Sequence, residues 1–309
     1  MMNDAPTVLV TGADGLLGRH VVRALIDSGA CRVVAVSRRP TQPAVDRLGW
    51  VKADLRQTSD VQALVGASAD VIVHTAAALP KTLDDDMAAN ANRVMDANVL
   101  SLANTVGAGL IYTSSLSVYE GCAVPWSESL PVRPVSAYAA GKYEAEMAIK
   151  DRTPPWAALR IASPYSASDT ERQGVLYHFA REAVAGRQLM VTGEGRRAQD
   201  FVHAADVACA VATLVRHWRT DPLQAASGTF NIASGHPVSM SELAELVVSC
   251  CGSGEIVCRG VEAEPDYKAD MVITQAAQVL RWRPQVALRT GLEQLIRHLR
   301  GAHEDWLAI

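Results

Sequence analysis

The 309-residue sequence predicts an α/β protein, with a doubly wound parallel sheet and a smaller mixed α/β cap. Three observations support this prediction. In the first half of the chain, short apolar runs alternate with helix-length segments, as they do in βα units. A glycine-rich turn lies at the first strand-to-helix junction. After about Pro164 the regular alternation stops, which indicates a second structural unit.

The first half supplies the strands of the predicted sheet. Val71-Ile72-Val73 is typical of them, because a continuous apolar run suits a strand that is covered on both faces. Strands are predicted at 7–10, 32–36, 50–53, 70–74, 110–113 and 157–161. Helices are predicted between them at 16–28, 60–65, 86–107 and 137–151. We therefore predict a dinucleotide-binding domain over residues 1–166.

The second half is less regular. Helices are predicted at 174–186, 204–218 and 290–299, and short strands at 189–191 and 230–232. Ser239, followed by Glu242, forms a capping-box pattern and predicts a further helix that continues to Cys250. We predict a substrate-binding cap over residues 167–309, in which the segment near 204–233 packs back onto the first domain.

Composition excludes several classes of function. With 29 basic and 33 acidic side chains the net charge is −4, so we expect no nucleic-acid partner. The six cysteines include no C-x-x-C pair, and the adjacent Cys250 and Cys251 fit neither a zinc site nor a disulfide framework. We expect no metal. The sequence has no basic leader and no run near the ~20 apolar residues that span a bilayer, so we expect a cytoplasmic protein without membrane contact.

The glycine-rich turn predicts a dinucleotide site in a Rossmann-type sheet. Thr11-Gly12-Ala13-Asp14-Gly15-Leu16-Leu17-Gly18 follows a predicted strand and opens a predicted helix. A pyrophosphate-binding loop requires this context. Gly12 permits a tight turn, Gly15 lets the backbone approach the pyrophosphate, and Gly18 allows the helix to pack closely on the strand. An ordinary glycine-rich βα turn is the alternative.

The end of the second predicted strand bears on the type of cofactor. An NAD site usually carries an acidic residue there, whereas an arginine accommodates the 2′-phosphate of NADP. This chain has Ser37-Arg38-Arg39. The pattern predicts a preference for NADP(H), with Ser37 and Arg38 as the principal contacts and NAD(H) still possible. A solvated basic turn is the alternative.

Tyr138 and Lys142 are the candidate acid/base pair. They lie four residues apart on a predicted helix and therefore share a face. A neighbouring ammonium favours the phenolate, which would make Tyr138 a general acid/base near neutral pH. The Y-x-x-x-K pattern alone is common on helix surfaces. It gains weight from the hydroxyl-rich segment Tyr112-Thr113-Ser114-Ser115-Leu116-Ser117-Val118-Tyr119, at a strand end where ligands bind in open α/β sheets.

The order of these motifs closely resembles the extended short-chain dehydrogenase/reductase family, which includes nucleotide-sugar epimerases, dehydratases and 4-ketoreductases. The resemblance covers nearly the whole chain. Further motifs that carry it are Asp54-Leu55, His74-Thr75-Ala76-Ala77, Asn98-Val99, Pro125 with Glu128 and Pro134, Leu159-Arg160, Gly193-Glu194-Gly195, Asp200-Phe201-Val202-His203 with Asp206-Val207, Phe230-Asn231, and Leu280-Arg281-Trp282 with Pro284. They are specific for the family and not for a substrate.

The resemblance implies roles for the matching positions. Ser115 would hydrogen-bond the reacting substrate oxygen, Tyr138 would exchange its proton, and Lys142 would hold the nicotinamide ribose. The implied cofactor contacts are Gly12, Asp14, Gly15, Leu16, Leu17, Ser37, Arg38, Arg39, Asp54, Leu55, Thr75, Ala76, Ala77, Asn98, Thr113, Tyr138, Lys142 and Ser163. The implied substrate contacts are Leu79, Ser115, Ser117, Arg197 and Gln199. A homodimer through the helices at 86–107 and 137–151 is a further expectation.

Two departures from the family pattern narrow the expected reaction. Dehydratases and decarboxylases of the family place carboxylates beside the catalytic hydroxyl, but this chain has Ser114-Ser115-Leu116, so water elimination is not expected. The family's Arg-Asp-Phe/Tyr motif, whose arginine commonly contacts the substrate diphosphate, is Gln199-Asp200-Phe201 here. Either Arg196 or Arg197 substitutes, or the substrate lacks a diphosphate, because an amide cannot replace a bidentate guanidinium.

We therefore predict an NADP(H)-preferring reductase that reduces a keto group, at C4 of a nucleotide-linked deoxy-keto sugar. A redox-neutral 4-epimerase is the alternative, since such enzymes differ mainly in retaining a tight cofactor. Reduction of a non-sugar ketone or aldehyde stays open because of Gln199. A catalytically silent dinucleotide sensor would not need Ser115, Tyr138 and Lys142 together. Substrate identity is expected to depend on loops near 79–86, 168–176 and 259–268.

Overall fold

A parallel β-sheet lies at the centre of the computed structural model, which describes residues 5–39, 46–80, 85–152, 154–167, 169, 172–220, 226–261, 263 and 266–301. In chain order the strands are β1 (Thr7–Thr11), β2 (Arg32–Ser37), β3 (Leu48–Lys52), β4 (Val71–His74), β5 (Gly109–Ser115), β6 (Trp156–Ile161), β7 (Ser163–Tyr165), β8 (Gln188–Thr192), β9 (Ala198–Gln199), β10 (Phe201–His203), β11 (Gly228–Ile232), β12 (Val238–Ser239) and β13 (Glu255–Arg259). Seven of them form one sheet in the order β11-β6-β5-β4-β1-β2-β3. Every pair in it is parallel.

Helices cover both faces of this sheet. In chain order the α-helices of the described residues, including those of the cap, are α1 (Leu16–Asp27), α2 (Thr58–Ala63), α3 (Asp86–Val106), α4 (Ala137–Lys150), α5 (Val175–Val184), α6 (Ala204–Thr220), α7 (Met240–Cys251), α8 (Thr274–Val279) and α9 (Leu288–Leu299). Successive side chains of a strand point to opposite faces. Val8 and Val10 accordingly join the apolar cluster that contains Val21 of α1, while Leu9 joins the cluster that contains Val99 of α3. The predicted doubly wound parallel sheet is confirmed.

A separate apolar cluster forms the core of the cap. Its members come mainly from α5, α7, α9 and β8, as with Phe179, Leu243, Leu295 and Leu189. Helix α7 begins at the predicted capping box. The Ser239 hydroxyl accepts a hydrogen bond from the Glu242 backbone N–H at 3.1 Å, and the Glu242 carboxylate accepts one from the Ser239 N–H at 2.7 Å. The cap therefore has its own core and its own local start signals.

Other parts of the second half belong to the sheet. Strand β11 pairs with β6, and α6 packs on α1. Met271, Leu280 and Trp282 lie in the same apolar cluster as the sheet strands. The Trp282 indole N–H donates to the Asp206 backbone carbonyl at 2.9 Å. The chain after residue 203 thus alternates between the sheet layer and the cap.

Several short elements differ from the sequence prediction. Strand β3 begins at Leu48 rather than Trp50, and a 3₁₀ helix at Leu64–Ala67 continues α2. Strands β7, β9, β10, β12 and β13 and helix α8 were not predicted. Strand β13 forms because it pairs in parallel with β8, and β7 because it pairs with β10. These pairings join segments that are distant in the sequence, so no local sequence pattern predicts them. Among the described residues, no helix has both the length and the apolarity that a membrane crossing requires.

Candidate active site

A cavity of about 600 Å³ lies where the sheet strands end. Its wall includes residues at the carboxyl ends of β1, β2, β4, β5 and β6, such as Gly12, Ser37, Thr75, Ser115 and Ile161. Parallel strands bring these ends to one edge of the sheet, which is where ligands bind in open α/β folds. Residues that are far apart in sequence therefore converge there.

Most of the predicted site residues line this cavity. The predicted cofactor contacts that do so are Gly12, Asp14, Gly15, Leu16, Leu17, Ser37, Arg38, Asp54, Leu55, Thr75, Ala76, Ala77, Thr113, Tyr138, Lys142 and Ser163. The predicted substrate contacts that do so are Leu79, Ser115, Ser117 and Gln199. Arg39, Asn98 and Arg197 are not among its lining residues. Asn98 instead donates from Nδ2 to the Leu55 carbonyl at 2.8 Å, which holds the segment after β3.

The loops expected to determine the substrate are only partly described. Residues 81–84, 168, 170–171, 262 and 264–265 lie outside the described residues. Of the remaining residues in these loops, Leu79, Pro80, Asp169 and Arg172 line the cavity. The predicted role of these loops therefore stays a prediction.

The glycine loop is shaped by close contacts. Gly12 has φ +63°, and a Cβ on it would lie 2.7 Å from the Ala76 Cα. The Gly15 N–H donates to the Gly12 carbonyl at 2.9 Å. A Cβ on Gly18 would lie 2.7 Å from the Ala13 Cα, so α1 starts directly against the turn. A cradle with this little room suits a pyrophosphate bound by backbone N–H groups at the start of a helix.

Two arginines, Arg38 and Arg56, line the part of the cavity that follows β2 and β3. Ser37 is buried and Arg38 is exposed, and both line the cavity. Arg56, which the sequence motifs did not indicate, lines it as well and forms an ion pair with Asp54, with 2.5 Å between Nη2 and Oδ2. The hydrogen bond from Arg56 lowers the pKa of Asp54 to about 2. Arg39 is exposed, and its backbone N–H donates to Ser37 Oγ at 3.0 Å.

Helix α4 positions Tyr138 and Lys142. Its N-cap Ser136 accepts a hydrogen bond from the Ala139 N–H at 3.2 Å and donates from its own backbone N–H to Glu120 at 3.0 Å. Lys142 is buried, and its Nζ donates to the Thr113 carbonyl at 3.0 Å. Tyr138 is half-buried and lines the cavity. The N-cap hydrogen bonds of Ser136 and the hydrogen bond of Lys142 thus hold both ends of the helical turn that carries the candidate acid/base pair.

Ser115 lies at the end of β5, where the chain turns into a 3₁₀ helix at Leu116–Tyr119. Its hydroxyl accepts a hydrogen bond from the Ser117 N–H at 3.1 Å and donates to Ser117 Oγ at 3.2 Å. These contacts orient the Ser115 side chain at the cavity wall. The residue that follows is Leu116, so no carboxylate adjoins Ser115 in sequence.

A buried polar network lies beneath Lys142. The Lys142 ammonium is 4.7 Å from the centroid of the Tyr112 ring. The Tyr112 hydroxyl donates a hydrogen bond to Asp96 Oδ2 at 2.8 Å. Asp96 Oδ1 is 2.9 Å from His74 Nε2, and His74 Nδ1 is 2.7 Å from the Thr11 hydroxyl. Burial raises the pKa of Asp96, but the Lys142 charge and the hydrogen bonds from His74 and Tyr112 outweigh it and hold that pKa below its usual value. A negative charge is thus kept under the candidate lysine.

A second buried cluster lies behind Ser115. The neighbouring Ser114 donates to Glu146 Oε1 at 2.5 Å, and Arg160 Nη2 lies 2.7 Å from Glu146 Oε2. The Arg160 guanidinium also lies 4.8 Å from the centroid of the Tyr119 ring. Glu146 was not identified from the sequence. The available signal was spacing, because Glu146 lies four residues after Lys142 on the helix face that carries Tyr138.

The model of the NAD dependent epimerase/dehydratase family matches residues 8–233, which is most of the chain. The chain belongs to this family. The family assignment covers the glycine loop, Ser115, Tyr138 and Lys142, and it confirms the resemblance found from the sequence motifs. The protein is therefore an enzyme of the extended short-chain dehydrogenase/reductase type, a group of nucleotide-sugar enzymes.

Two curated relatives match nearly the whole chain. One is the UDP-glucose 4-epimerase of Mycolicibacterium smegmatis, with 27% identity over 94% of this chain and 98% of its own length. Another is a dTDP-4-dehydro-6-deoxy-D-allose reductase of Streptomyces bikiniensis, with 28% identity over 95% of this chain and 96% of its own length. Family members of similar identity thus include both an epimerase and a reductase.

The fold is shared with solved structures. The complex of Thermus thermophilus UDP-glucose 4-epimerase with NAD superposes with a TM-score of 0.78 and 23% identity, covering 96% of this chain and 100% of the other. Within the family fold, the residues of this chain fit a nicotinamide dinucleotide. Gly12, which has no room for a Cβ, and the start of α1 would hold the pyrophosphate, and Lys142 lines the same cavity. The same cavity continues past Ser115 to Gln199, where a substrate can lie.

Proposed function

We propose that this enzyme is an NADP(H)-preferring reductase that reduces the C4 keto group of a nucleotide-linked deoxy-keto sugar. The observation that carries the choice of reaction is the neighbourhood of Ser115. Leu116 follows it, and the cavity-lining carboxylates among the described residues are Asp14, Asp54 and Asp169, which belong to other segments. Water elimination needs an additional acid or base at the reacting carbons, whereas ketone reduction needs only one proton donor.

The side chains at the cavity supply the proton transfer. The Ser115 hydroxyl turns its hydrogen from Ser117 Oγ to the substrate carbonyl oxygen, and the Tyr138 hydroxyl donates its proton as negative charge develops there. The Lys142 ammonium, anchored on the Thr113 carbonyl at 3.0 Å, stabilises the phenolate that remains. When bound, the reduced nicotinamide supplies the hydride. The protein thus contributes orientation and charge stabilisation.

The preference for NADP(H) is supported by charge at the adenosine end of the cavity. Arg38 follows Ser37 at the end of β2, where an acidic residue would select NAD. Arg56 lines the same end. A 2′-phosphate would find guanidinium groups there, which bind phosphate well. NAD(H) can use the same site without this additional contact.

A redox-neutral 4-epimerase is the second candidate. One observation favours it, since the Mycolicibacterium smegmatis relative, a UDP-glucose 4-epimerase, is nearly as similar to this chain as the reductase. An epimerase returns the hydride to the same carbon and has no need to exchange its cofactor. Cofactor retention therefore discriminates between the two proposals.

The deciding experiment is to purify the protein without added cofactor, denature it and identify any released dinucleotide by absorbance and mass. An empty protein that then oxidises NADPH in the presence of 4-keto sugar nucleotides supports the reductase. Stoichiometric NAD(H) in the purified protein contradicts it and supports the epimerase. Tyr138→Phe provides the control, because it should abolish turnover but leave NADPH binding intact.

We also propose a homodimer through α3 and α4. These helices pack side by side, and α3 presents Met87 and Val94, which are 85% and 45% exposed. Arg93 and Glu144 form an ion pair that bridges the two helices, with 2.7 Å between Nε and Oε2. Analytical ultracentrifugation of the wild type and of Met87→Asp tests this proposal, since a monomeric wild type would contradict it.

A further inference from the structure

Arg172, an arginine that no sequence motif indicated, lines the cavity. Among the described residues, the cations that line the cavity are Arg38, Arg56, Lys142 and Arg172. Arg38 and Arg56 follow β2 and β3, at one edge of the sheet, and buried Lys142 is anchored on Thr113. Arg172 lies in the segment between β7 and α5, beyond β6 and on the opposite side of the sheet centre. Its segment therefore follows strands on the side of the sheet away from Arg38 and Arg56.

The two arginines expected to replace the family's phosphate contact lie elsewhere. The Arg197 guanidinium is 4.6 Å from the centroid of the Tyr267 ring, and Arg197 is not a cavity-lining residue. Arg196 is 62% exposed, with its Nε 3.5 Å from the Glu194 carboxylate, and it does not line the cavity either. Gln199 does line the cavity, but its amide carries no charge. Arg172, unlike Arg196 and Arg197, is an arginine that lines the same cavity as Gln199.

The backbone of Arg172 is held on both sides. Its N–H donates to the Asp169 carbonyl at 3.3 Å, and its carbonyl accepts a hydrogen bond from Arg181 Nη1 at 3.1 Å. Arg181 belongs to α5, which is anchored in the apolar core of the cap by Phe179. The Tyr177 hydroxyl of the same helix accepts a hydrogen bond from the Ser166 N–H at 3.0 Å. The guanidinium of Arg172 thus extends from a fixed base.

We propose that Arg172 binds the diphosphate of a nucleoside diphosphate portion of the substrate, with Gln199 as a neutral hydrogen-bonding partner. The inference rests on the proposed function, in which the substrate is a nucleotide-linked sugar, and adds the residue that recognises its charge. A guanidinium offers two parallel N–H groups to phosphate oxygens, which an amide cannot match. The Asp169 carboxylate lines the same cavity and opposes a bound anion. The phosphate contact has therefore moved from β9 to the segment before α5.

The test compares ligands with and without the diphosphate. We would measure, by isothermal titration calorimetry, the affinities of UDP and dTDP and of uridine and thymidine for the NADPH-saturated wild type, Arg172→Ala and Arg196→Ala. A charge-assisted contact is worth about 1.5–3 kcal/mol, so Arg172→Ala should weaken the diphosphates by roughly 10- to 100-fold. It should leave the nucleosides within about twofold, and Arg196→Ala should leave all four within that range. Asp169→Asn should strengthen the diphosphates.

Each other outcome overturns the proposal in a recognisable way. If Arg172→Ala weakens uridine as much as UDP, the residue supports the local structure and does not bind phosphate. If a separate titration of NADPH shows that Arg172→Ala weakens the cofactor as much as UDP, Arg172 contacts the cofactor. If UDP binds the variant as tightly as the wild type, the assignment of Arg172 fails while the proposed function stands. If the wild type prefers neither diphosphate to its nucleoside, the nucleotide-sugar function fails together with it.

Discussion

Glu146 and Arg160 form an ion pair behind the end of β5, with 2.7 Å between Oε2 and Nη2. Their side chains are 0% and 4% exposed. The same carboxylate accepts a hydrogen bond from Ser114, beside the candidate catalytic Ser115. The pair therefore joins α4, which carries Tyr138 and Lys142, to the strands that form the cavity wall. Removal of one partner would leave a charge buried without compensation.

The first prediction concerns this pair. Glu146→Ala should lower the free energy of unfolding by about 3–5 kcal/mol, because the Arg160 guanidinium stays buried without a counter-charge. Urea unfolding followed by tryptophan fluorescence measures the change. Glu144→Ala on the same helix is the matched control. Its pair with Arg93 is largely exposed, so its loss should cost no more than about 1 kcal/mol. Equal losses in the two variants would contradict the prediction.

The second prediction concerns cofactor choice. Arg38→Ala should weaken NADPH binding by about 10- to 100-fold and leave NADH binding nearly unchanged, because the lost contact is with the 2′-phosphate. Fluorescence titration of the two cofactors measures both affinities. Arg39→Ala is the control, since Arg39 does not line the cavity and should have a much smaller effect. Equal weakening of NADPH and NADH by Arg38→Ala would remove the assignment.

The third prediction concerns pH and His20 of α1. Its ring meets the His203 ring edge-on, with 5.7 Å between the centroids. Burial, followed by the charges of His203 and Arg19, lowers the pKa of His20 from 6.5 to about 4. Between these values the unfolded chain binds the proton and the folded chain does not. His20 therefore contributes stability above pH 6.5 that is lost as the pH falls toward 4, by at most about 1.4 kcal/mol per pH unit.

His20→Gln removes this titration. Unfolding free energies measured between pH 4 and 7 should fall less steeply for the variant than for the wild type. Part of the slope should remain, because burial also lowers the pKa of His203. Parallel curves for the two proteins would show that His20 is not neutral in the folded state.

The fourth prediction concerns the end of α8. Arg281 is exposed and has φ +53°, a left-handed conformation that costs a residue with a Cβ about 1–2 kcal/mol. Arg281→Gly should raise the free energy of unfolding by about 0.5–1 kcal/mol, since glycine relieves this strain but gains freedom in the unfolded chain. Arg283→Gly provides the control. Arg283 is exposed and has no positive φ, so glycine there should not stabilise the protein.

Local signals accounted for most of the fold. The apolar runs at β1 and β4 predicted strands because a continuous apolar strand is stable only between two covered faces. The capping box at Ser239 located the start of α7, since both of its hydrogen bonds involve residues three positions apart. Each of these patterns lies within a few consecutive residues. It can therefore be recognised in the sequence without knowledge of the tertiary contacts.

The candidate site was predictable where a motif carries its own chemistry. Gly12 and Gly18 specify a turn that has no room for side chains, and Tyr138 and Lys142 share a helix face by spacing alone. The order of the motifs was sufficient to identify the family. Asn98 and Arg197 also stood out in sequence, yet neither lines the cavity, because the direction of a side chain depends on what packs against it.

The sequence by itself determined the parallel sheet and the glycine cradle, because strand periodicity and short-range spacing encode them, and its resemblance to the family indicated Ser115, Tyr138 and Lys142. Only the tertiary structure decided the Glu146–Arg160 pair, the pairing of β13 with β8, and the approach of Arg56 and Arg172 to the cavity. Each of these depends on segments that are distant in the chain and meet when the sheet and the cap pack together. Their positions depend on the packing of the whole chain, and no local sequence pattern specifies that packing.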